Sequence, residues 1–398
     1  MKHWLSLLLV AVLVAAVVPV VGCSESETIK IGALFDVTGP NSPLGTPEKQ
    51  VVEMMETQIN DAGGINGVPI EVIVYDTEGK EDSCVSLATR LIEQDGVVAI
   101  IGPSSTGESL AVIDTVDKAQ IPMVSCAADE RITIPVGDSI WVFKTPQTTY
   151  MAVQEIYSYI QDQGITKIAI MTDTKGFGAG GKKDLEDEAS NYGLTIVSNQ
   201  SYDNEETTNW DPFISKIENS GAEAVVCWGT NPGPALIAKA LDGTGIPFFG
   251  SHGIANTKFI EVAGDAAEGV IFPVGKMLVA DQLPDSDPQK AVLLQLKSDY
   301  EALYGEGTCN TFAGHAYDAL KMVQMAVEEV APDKETLTEE LKDRKAFAAK
   351  IRTEIENIEG FAGTGGVFNM SPDDHCGLSK GCMVVVKIVN GEWVWLQD

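Results

Sequence analysis

One glycine-rich segment has the residue types and spacing of a phosphate-binding loop. Residues 176–182 read Gly-Phe-Gly-Ala-Gly-Gly-Lys, which fits both G-x-x-x-x-G-K and G-x-G-x-x-G. A P-loop needs a Ser or Thr hydroxyl for its metal ion directly after the lysine, but this chain has Lys183 there. A dinucleotide site needs an acid at the end of the next strand, whereas the strand predicted at 195–197 runs into Ser198. We therefore expect no nucleotide and no other cofactor.

The other residues give little support for a hydrolytic site or a metal site. The four histidines of the chain are His3, His252, His315 and His375. None lies in a recognisable nucleophile motif, and the 58 acidic residues allow so many carboxylate pairs that a pair carries no specificity. His375 precedes Cys376, but the spacing to Cys382 is unlike a zinc knuckle and no second pair of ligands is evident. We therefore expect neither a metal site nor an enzyme.

The first residues have the layout of a secretory leader. An apolar run from Leu7 to Val18 is followed by Val-Val-Gly-Cys at 20–23, which resembles the lipobox of prokaryotic lipoproteins. This pattern predicts a signal peptide at 1–22, lipidation of Cys23 and an extracytoplasmic protein that a lipid anchors to the membrane of the cell envelope. A plain signal peptide or a membrane anchor is the alternative. No later segment is apolar for the length that a bilayer requires.

The cysteines and the net charge indicate further properties of the protein. In an oxidising compartment the six cysteines after Cys23 could pair in many ways. Cys376 and Cys382 are the pair that we expect, because they bracket a turn-rich segment that could bring their Cβ atoms together. The formal net charge of −31 should repel nucleic acid and anionic lipid. We therefore expect a soluble protein with no nucleic-acid partner.

The elements alternate short β-branched runs with longer amphipathic stretches, which is typical of parallel α/β sheets. A first set of strands is predicted from residue 28 to 125, and a second set from 167 to 249. A helix at 312–330 and a strand at 383–389 come after both sets, so we expect the chain to return to each lobe. The predicted lobes comprise 27–145 with 275–358, and 146–274 with 359–398. Short hinge crossings are expected near Thr145, Val274 and Glu359.

Five loops follow predicted strands and contain small or polar residues. In open α/β sheets, ligands bind beyond the carboxyl ends of the strands, where helix N-termini expose backbone N–H groups. Together these loops predict a cleft that could hold a small molecule with a carboxylate. The alternative is that they are surface turns whose hydroxyls cap helices. The loops are 102–107, 125–129, 173–178, 228–231 and 250–253.

Six segments, taken in order, carry a resemblance to a known family. They are Ile29-Lys-Ile-Gly-Ala-Leu-Phe-Asp-Val-Thr-Gly-Pro40, Ile59-Asn-Asp-Ala-Gly-Gly-Ile-Asn-Gly67, Ile100-Ile-Gly-Pro-Ser-Ser-Thr106, Ile121-Pro-Met-Val-Ser125, Gly264-Asp-Ala-Ala-Glu-Gly-Val270 and His315-Ala-Tyr-Asp-Ala-Leu320. The chain resembles the type I periplasmic binding proteins of ABC importers, in the leucine/isoleucine/valine-binding family. The resemblance implies two Rossmann-like, doubly wound lobes that close on a small ligand. It also implies delivery of that ligand to a membrane permease and its ATPase, with no chemical conversion.

The resemblance also assigns site residues by position. Ser105 and Thr106 would hydrogen-bond a ligand carboxylate, and the segment Ala127, Ala128 and Asp129 would present backbone groups. Phe177 takes the place of a pocket tyrosine, and Trp228 falls at or next to another aromatic position. With Tyr150, these two aromatics would form apolar walls around a few polar groups, unless they are core residues.

Two departures from the family leave the ligand open. Amino-acid binders of the family hold the α-ammonium with an acid where this chain has His252, and Asp129 replaces a threonine that grips the same group. Either Asp129 is the counter-ion of an amino acid, or the ligand is a carboxylate without an ammonium, which a protonated His252 would favour. His252 could instead be a turn residue that points into water.

The function that we expect is extracytoplasmic substrate binding for an ABC transporter. The expected ligand is a small branched-chain or other apolar amino acid, and the alternative is an aromatic or short-chain carboxylate. An extracytoplasmic enzyme and a sensor that presents its ligand to a receptor are the alternatives from other classes. We expect the protein to act as a monomer.

Overall fold

The computed structural model describes residues 28–397 of the 398-residue chain. The leader predicted at 1–22 and the predicted lipidation site Cys23 lie outside these residues. Within the described range, no helix is both long enough and apolar enough to cross a bilayer.

The first sheet contains five parallel strands in the order β2-β1-β3-β4-β5. Its strands read as apolar runs and are mostly buried, as expected for a parallel sheet that is covered by helices on both faces. The strands are β1 (Ile29–Phe35), β2 (Ile70–Asp76), β3 (Ala99–Ile101), β4 (Met123–Ser125) and β5 (Val142–Lys144).

The second sheet contains seven strands in the order β14-β13-β10-β9-β8-β6-β7. Strands β6 to β10 run parallel, while β13 is antiparallel to β10 and to β14. A separate pair of short antiparallel strands, β11 and β12, precedes β13. The strands are β6 (Lys167–Asp173), β7 (Thr195–Tyr202), β8 (Ala224–Trp228), β9 (Phe248–Gly250), β10 (Ile271–Gly275), β11 (Phe361–Ala362), β12 (Val367–Phe368), β13 (Met383–Val389) and β14 (Glu392–Trp395).

Helices cover both faces of each sheet, so both lobes are doubly wound. On the first sheet, α1, α10 and α12 pack together on one face and α2 and α3 on the other. On the second sheet, α4 and α5 cover one face and α6, α7 and α8 the other. The helices are α1 (Ser42–Asp61), α2 (Glu81–Arg90), α3 (Thr106–Ala119), α4 (Thr149–Asp162), α5 (Gly176–Glu188), α6 (Asp211–Ser220), α7 (Gly233–Leu241), α8 (Thr257–Ala263), α9 (Lys290–Tyr304), α10 (Thr311–Val330), α11 (Lys334–Glu340) and α12 (Arg344–Glu356).

The chain passes between the two sheets three times. It leaves the first sheet after β5, returns from the second after β10 to form the helices that pack on α1, and goes back after α12 to add β13 and β14. The chain thus returns to each lobe, as expected from the helix predicted at 312–330 and the strand predicted at 383–389. The residue limits given above for the lobes stay a prediction, because sheet membership does not assign the connecting segments.

The two cysteines that were expected to pair are free. Cys376 and Cys382 are both buried thiols, as are the other four cysteines of the described residues. The Cys376 Sγ atom lies 3.8 Å from the carbonyl oxygen of Pro146, which it contacts in place of a second sulfur. The disulfide that their spacing suggested is therefore not formed in this structure, where the turn between them packs both thiols into the core.

Candidate ligand-binding site

A cavity of about 110 Å³ lies between the lobes, at the carboxyl ends of the parallel strands of both sheets. Its wall takes residues from loops that follow β1 to β4 in the first sheet and β6 to β9 in the second. A cavity of roughly 150 Å³ is large enough to hold benzene. The space therefore suits a ligand of a few heavy atoms, in the position where α/β folds bind ligands.

Helix α3 directs its N-terminus at this cavity. Its N-cap residue, Ser105, makes no capping hydrogen bond with its side chain, so the first-turn N–H groups lack an intrahelical partner. The Thr106 hydroxyl is buried and has no hydrogen-bond partner among the described residues. Both residues line the cavity. Free amides, a free hydroxyl and the positive end of a helix dipole together favour a bound carboxylate.

The Ser105 hydroxyl is already engaged by a buried carboxyl group. Its Oγ donates to Glu108 Oε2 over 2.5 Å, and the neighbouring Ser104 Oγ donates to Glu48 Oε2. Burial, followed by the proximity of Asp36, raises the pKa of Glu108 to about 9. Because the Ser105 hydroxyl donates to Glu108, its oxygen can only accept a hydrogen bond from a ligand. The Thr106 hydroxyl and the backbone N–H groups can donate to the ligand.

The backbone groups expected to face the ligand in the following loop are partly used within the protein. Ala127 and Ala128 line the cavity, but the Ala127 N–H donates to Ser125 Oγ over 3.0 Å. The Ala128 carbonyl accepts from Lys144 Nζ and from the Thr149 N–H. Lys144 is fully buried, and its burial lowers its pKa. These alanines therefore shape the wall, and the buried amino group of Lys144 lies behind them.

Asp129 does not line the cavity. Its carboxylate is fully buried and binds the Arg131 guanidinium at both oxygens, over 2.8 Å to Oδ1 and 2.7 Å to Oδ2. Arg131 also donates to the Gly176 carbonyl of the other lobe over 2.9 Å. A carboxylate that is neutralised in this way cannot serve as the ammonium partner that the sequence suggested. It instead holds an arginine across the interlobe contact.

The three predicted aromatics occupy three different environments. Phe177 lines the cavity, while Trp228 is fully buried behind it, with its ring centroid 5.9 Å from that of Phe177. Tyr150 is 41% exposed at the start of α4 and lies outside the cavity. The apolar wall therefore consists of Phe177 with Leu44 and Phe312, neither of which was predicted as a site residue.

Two neutral histidines complete the wall. His252 is buried, and neither of its ring nitrogens has a hydrogen-bond partner in residues 28–397. Burial and, to a smaller extent, Lys144 lower its pKa to about 3, and burial does the same for His315. His252 is therefore not a turn residue in water, and it is uncharged at neutral pH. It can donate one hydrogen bond and accept one, but it does not attract an anion by charge.

Sequence reasoning missed polar groups that the fold brings to the wall from distant segments. Asp173 lies at the end of β6 and Glu108 in the first turn of α3, and both line the cavity. Thr230 donates to Asn41 over 3.2 Å and so links the two lobes beside the cavity. Asp173 and Thr230 belong to the predicted loops 173–178 and 228–231, but neither was predicted as a site residue. No local pattern marks Glu108, which lies inside a helix.

Six of the nine predicted ligand-binding residues lie on the cavity wall. They are Ser105, Thr106, Ala127, Ala128, Phe177 and His252, whereas Asp129, Tyr150 and Trp228 do not line it. Among residues 28–397, no group of three or more His, Cys, Asp or Glu side chains is arranged to hold a metal ion. The wall thus combines a carboxylate site, an apolar patch and acidic groups.

Comparison with known proteins gives a family match over almost the whole described range. Residues 28–392 match the model of a family described as periplasmic binding protein. A curated relative is the leucine-, isoleucine-, valine-, threonine- and alanine-binding protein of Pseudomonas aeruginosa. It is 23% identical over 321 residues, which cover 80% of this chain and 83% of the relative.

Solved structures have the same fold. An extracellular ligand-binding receptor from Rhodopseudomonas palustris HaA2 superposes with a TM-score of 0.84 at 25% identity, over 93% of this chain and 100% of the receptor. A branched-chain amino acid transporter substrate binding protein from Streptococcus pneumoniae was solved in complex with isoleucine. It superposes with a TM-score of 0.78 at 23% identity, over 93% of this chain and 100% of that one.

Proposed function

The chain belongs to the periplasmic binding protein family, and we propose that it binds a small apolar amino acid in the cleft cavity for import by an ABC transporter. Members of this family bind their substrates outside the cytoplasm, so the protein is an extracytoplasmic substrate-binding protein and not an enzyme. The proposal adds to this the class of ligand, the transporter and closure of the lobes around the ligand.

One observation is the main support for a ligand with a carboxylate group. The N-terminus of α3 and the unpartnered Thr106 hydroxyl meet at the cavity wall. A buried hydroxyl without a partner costs free energy, and a ligand carboxylate would supply the missing acceptor. The curated relatives that the chain resembles are named for amino acids, each of which has such a carboxylate.

The apolar residues of the wall support an apolar side chain on the ligand. Phe177 contributes its ring from one lobe, while Leu44 and Phe312 come from segments that pack on the first sheet. Apolar walls with a few fixed polar groups are the usual composition of a small-molecule site. The volume of about 110 Å³ suits an aliphatic side chain of modest size.

A second candidate is a carboxylate that lacks an ammonium group. His252 supports it, since this neutral side chain occupies the wall with both ring nitrogens unpartnered. A carbonyl or hydroxyl on such a ligand could bond to the ring, whereas an ammonium could bond only to the unprotonated nitrogen.

The transporter, the lipid anchor and the monomeric state extend the proposal beyond the cavity. The Streptococcus pneumoniae protein with the same fold is named as part of a branched-chain amino acid transporter, which supports a membrane permease as the partner. The anchor rests on the leader and Cys23, and the proposal takes the protein to act as a monomer. A role as a ligand-presenting sensor is the alternative to transport.

Substitution of Thr106 by valine tests the carboxylate site. This change keeps the shape of the side chain and removes the hydroxyl, so we expect affinity for the best-binding amino acid to fall by about 10- to 100-fold. Isothermal titration calorimetry of the protein from residue 24 onwards measures the affinity. Candidate amino acids can be found by thermal shift, because a ligand at about 100 times its Kd adds about 2.7 kcal/mol of stability.

The matched control is Thr133→Val. The Thr133 hydroxyl is also buried without a partner, but this residue does not line the cavity. We expect Thr133→Val to bind with the affinity of the unaltered protein. Equal affinities for both variants, or stabilisation by no amino acid, would contradict the proposed site.

A further inference from the structure

The cavity wall contains more acidic side chains than a carboxylate ligand requires. A carboxylate at the N-terminus of α3 needs donors, yet five acids of the described residues also line the space. They are Glu78, Glu81, Glu108, Asp173 and Glu205. An amino-acid ligand would bring an ammonium, and only an acid that is free to pair with it can act as its counter-ion.

Two of these acids already have cationic partners at the cavity mouth. Glu78 binds Lys80 over 2.5 Å, and Glu205 binds Lys175 over 3.6 Å. The side chains of both pairs are more than half exposed, so water screens them. Neither acid therefore offers a concentrated, unpaired charge to a buried ammonium.

Two further acids are excluded by protonation or by position. Glu108 carries a proton at neutral pH, because burial and Asp36 raise its pKa to about 9. Glu81 is exposed to solvent at the start of α2. His252, which stands where amino-acid binders of the family have an acid, is neutral.

Asp173 remains, and its environment differs from that of the other four. It is 4% exposed at the carboxyl end of β6, and no ion pair involves it in residues 28–397. Its Oδ1 accepts the Lys175 N–H over 3.2 Å. Burial raises its pKa to about 6, Asp203 adds to this rise, and Lys175 opposes it. Asp173 is thus ionised at neutral pH, and backbone N–H groups but no ion pair offset its desolvation.

We propose that Asp173 is the counter-ion of the ligand's α-ammonium group, and that it makes the site prefer α-amino acids to their deaminated analogues. This inference rests on the proposed function. The carboxylate of the ligand binds at α3 in one lobe, and its ammonium pairs with Asp173 of the other. An α-amino acid therefore joins the lobes through both of its charged groups, and a deaminated acid joins them through only one.

The test compares Asp173→Asn with Asp203→Asn. The Asp203 variant removes the same charge at the end of the neighbouring strand β7, from a residue that does not line the cavity. Titration of each with an apolar amino acid and with its 2-oxo and 2-hydroxy analogues gives three affinities per protein. We expect Asp173→Asn to lose about 10- to 100-fold for the amino acid, as for the loss of one charged hydrogen bond.

The same variant should bind the deaminated acids as well as the unaltered protein does, or more tightly, because one like-charge repulsion is gone.

The pH profile is a second measurement. Affinity for the amino acid should fall about tenfold per unit as the pH drops below about 6, where Asp173 takes up its proton, and Asp173→Asn should lack this fall. Asp173→Glu restores the charge and should recover part of the preference for the amino acid.

The outcomes separate this inference from the proposed function. If the amino acid binds both Asn variants equally well, Asp173 is not its counter-ion, although amino-acid binding stands. If only deaminated acids bind the unaltered protein, the counter-ion role is overturned in favour of the second candidate function. If neither class binds, both proposals fail. A melting curve without ligand shows whether Asp173→Asn is folded, and Asp173→Glu tests the charge if it is not.

Discussion

Three carboxyl groups without a basic partner are buried next to the candidate carboxylate site. Asp36, Glu48 and Glu108 are all fully buried, and no ion pair of the described residues includes them. Burial raises the pKa of Glu48 well above its ordinary value, and that of Glu108 to about 9. Serine and threonine hydroxyls donate to all three groups. Protons and hydroxyls therefore hold the binding loop in place.

These protons make stability depend on pH. Glu108 has a higher pKa in the native state than its ordinary value of 4.5, so the native state keeps a proton that the unfolded chain has lost. Its contribution is complete below about pH 4.5 and is lost as the pH rises towards 9, at about 1.4 kcal/mol per unit. We expect Glu108→Gln, which is neutral in both states, to reduce this slope by one proton.

Urea unfolding at pH 6, 7 and 8 measures the slope. The exposed Glu93→Gln is the control, because it removes a carboxylate from the turn that follows α2 and should leave the pH dependence unchanged. The prediction fails if Glu108→Gln loses stability with pH as steeply as the unaltered protein does.

For individual residues, the sequence predicted which loops lie at the cavity better than it predicted what their side chains do there. Thr106 and His252 were found because they follow predicted strands. Asp129 follows one as well, but its side chain turns to Arg131 and away from the cavity. The direction of a side chain in an irregular loop depends on partners that residue spacing does not encode.

Helix α3 of one lobe contacts helix α5 of the other beside the cavity. Arg131 donates to the Gly176 carbonyl across it. Nearby, the Asp184 carboxyl of α5 lies close to that of Glu130, and Asp184 Oδ2 and Glu130 Oε2 are buried without a hydrogen-bond donor. Burial and Glu130 raise the pKa of Asp184 to about 8, although Lys183 opposes this effect. In this structure the Asp184 carboxyl therefore keeps its proton at the contact between the lobes.

Lobe closure should therefore take up this proton. With the lobes apart, Asp184 would lose Glu130 and return towards its ordinary pKa of 3.8, so closure takes up about one proton at pH 7. Affinity for ligand should then fall by up to about tenfold per pH unit as the pH rises towards 8. We expect Asp184→Asn to bind with less dependence on pH.

Calorimetric titrations at pH 7 in buffers of different ionisation enthalpy count the protons. The control is Asp187→Asn on the same helix, whose exposed carboxylate pairs with Lys183 over 2.7 Å. If the Asp184 and Asp187 variants take up equal numbers of protons on binding, the Glu130–Asp184 pair does not couple closure to pH.

Most predicted elements lie close to the observed ones, and the misses have physical causes. The helix predicted at 312–330 corresponds to α10, and the strand predicted at 383–389 corresponds to β13. β7 continues to Tyr202 through a polar run, because it is an edge strand with one partner and half-exposed side chains. A predictor that relies on apolar runs stops too early there.

The two-lobed architecture could be predicted because it depends on the order of elements, which the sequence contains. The pairs of neighbouring carboxyl groups could not, since Glu130 and Asp184 come from different lobes, and Asp36 follows β1 whereas Glu108 lies in α3. Their proximity results from the way both sheets direct their carboxyl ends at one cleft. The candidate counter-ion Asp173 was seen only as part of a loop for the same reason.

The net charge of −31 acts on the whole molecule. Acids outnumber bases by 58 to 27, and self-repulsion between them destabilises the compact state. Salt shortens the range of this repulsion from about 30 Å at 0.01 M to about 3 Å at 1 M. We therefore expect the melting temperature to rise with NaCl, by about 2–4 °C for each kcal/mol of repulsion removed.

Scanning calorimetry from 10 mM to 1 M NaCl measures this rise, and KCl should reproduce it because screening depends on ionic strength. Sodium sulfate at the same ionic strength would add the stabilisation that comes from its exclusion from the protein surface. The salt series belongs at pH 6, where Glu108 keeps its proton and His252 and His315 are neutral in the native state. A melting temperature that is constant or falls across the NaCl series would mean that the ion pairs lost to screening outweigh the repulsion, contrary to what the excess of acids predicts.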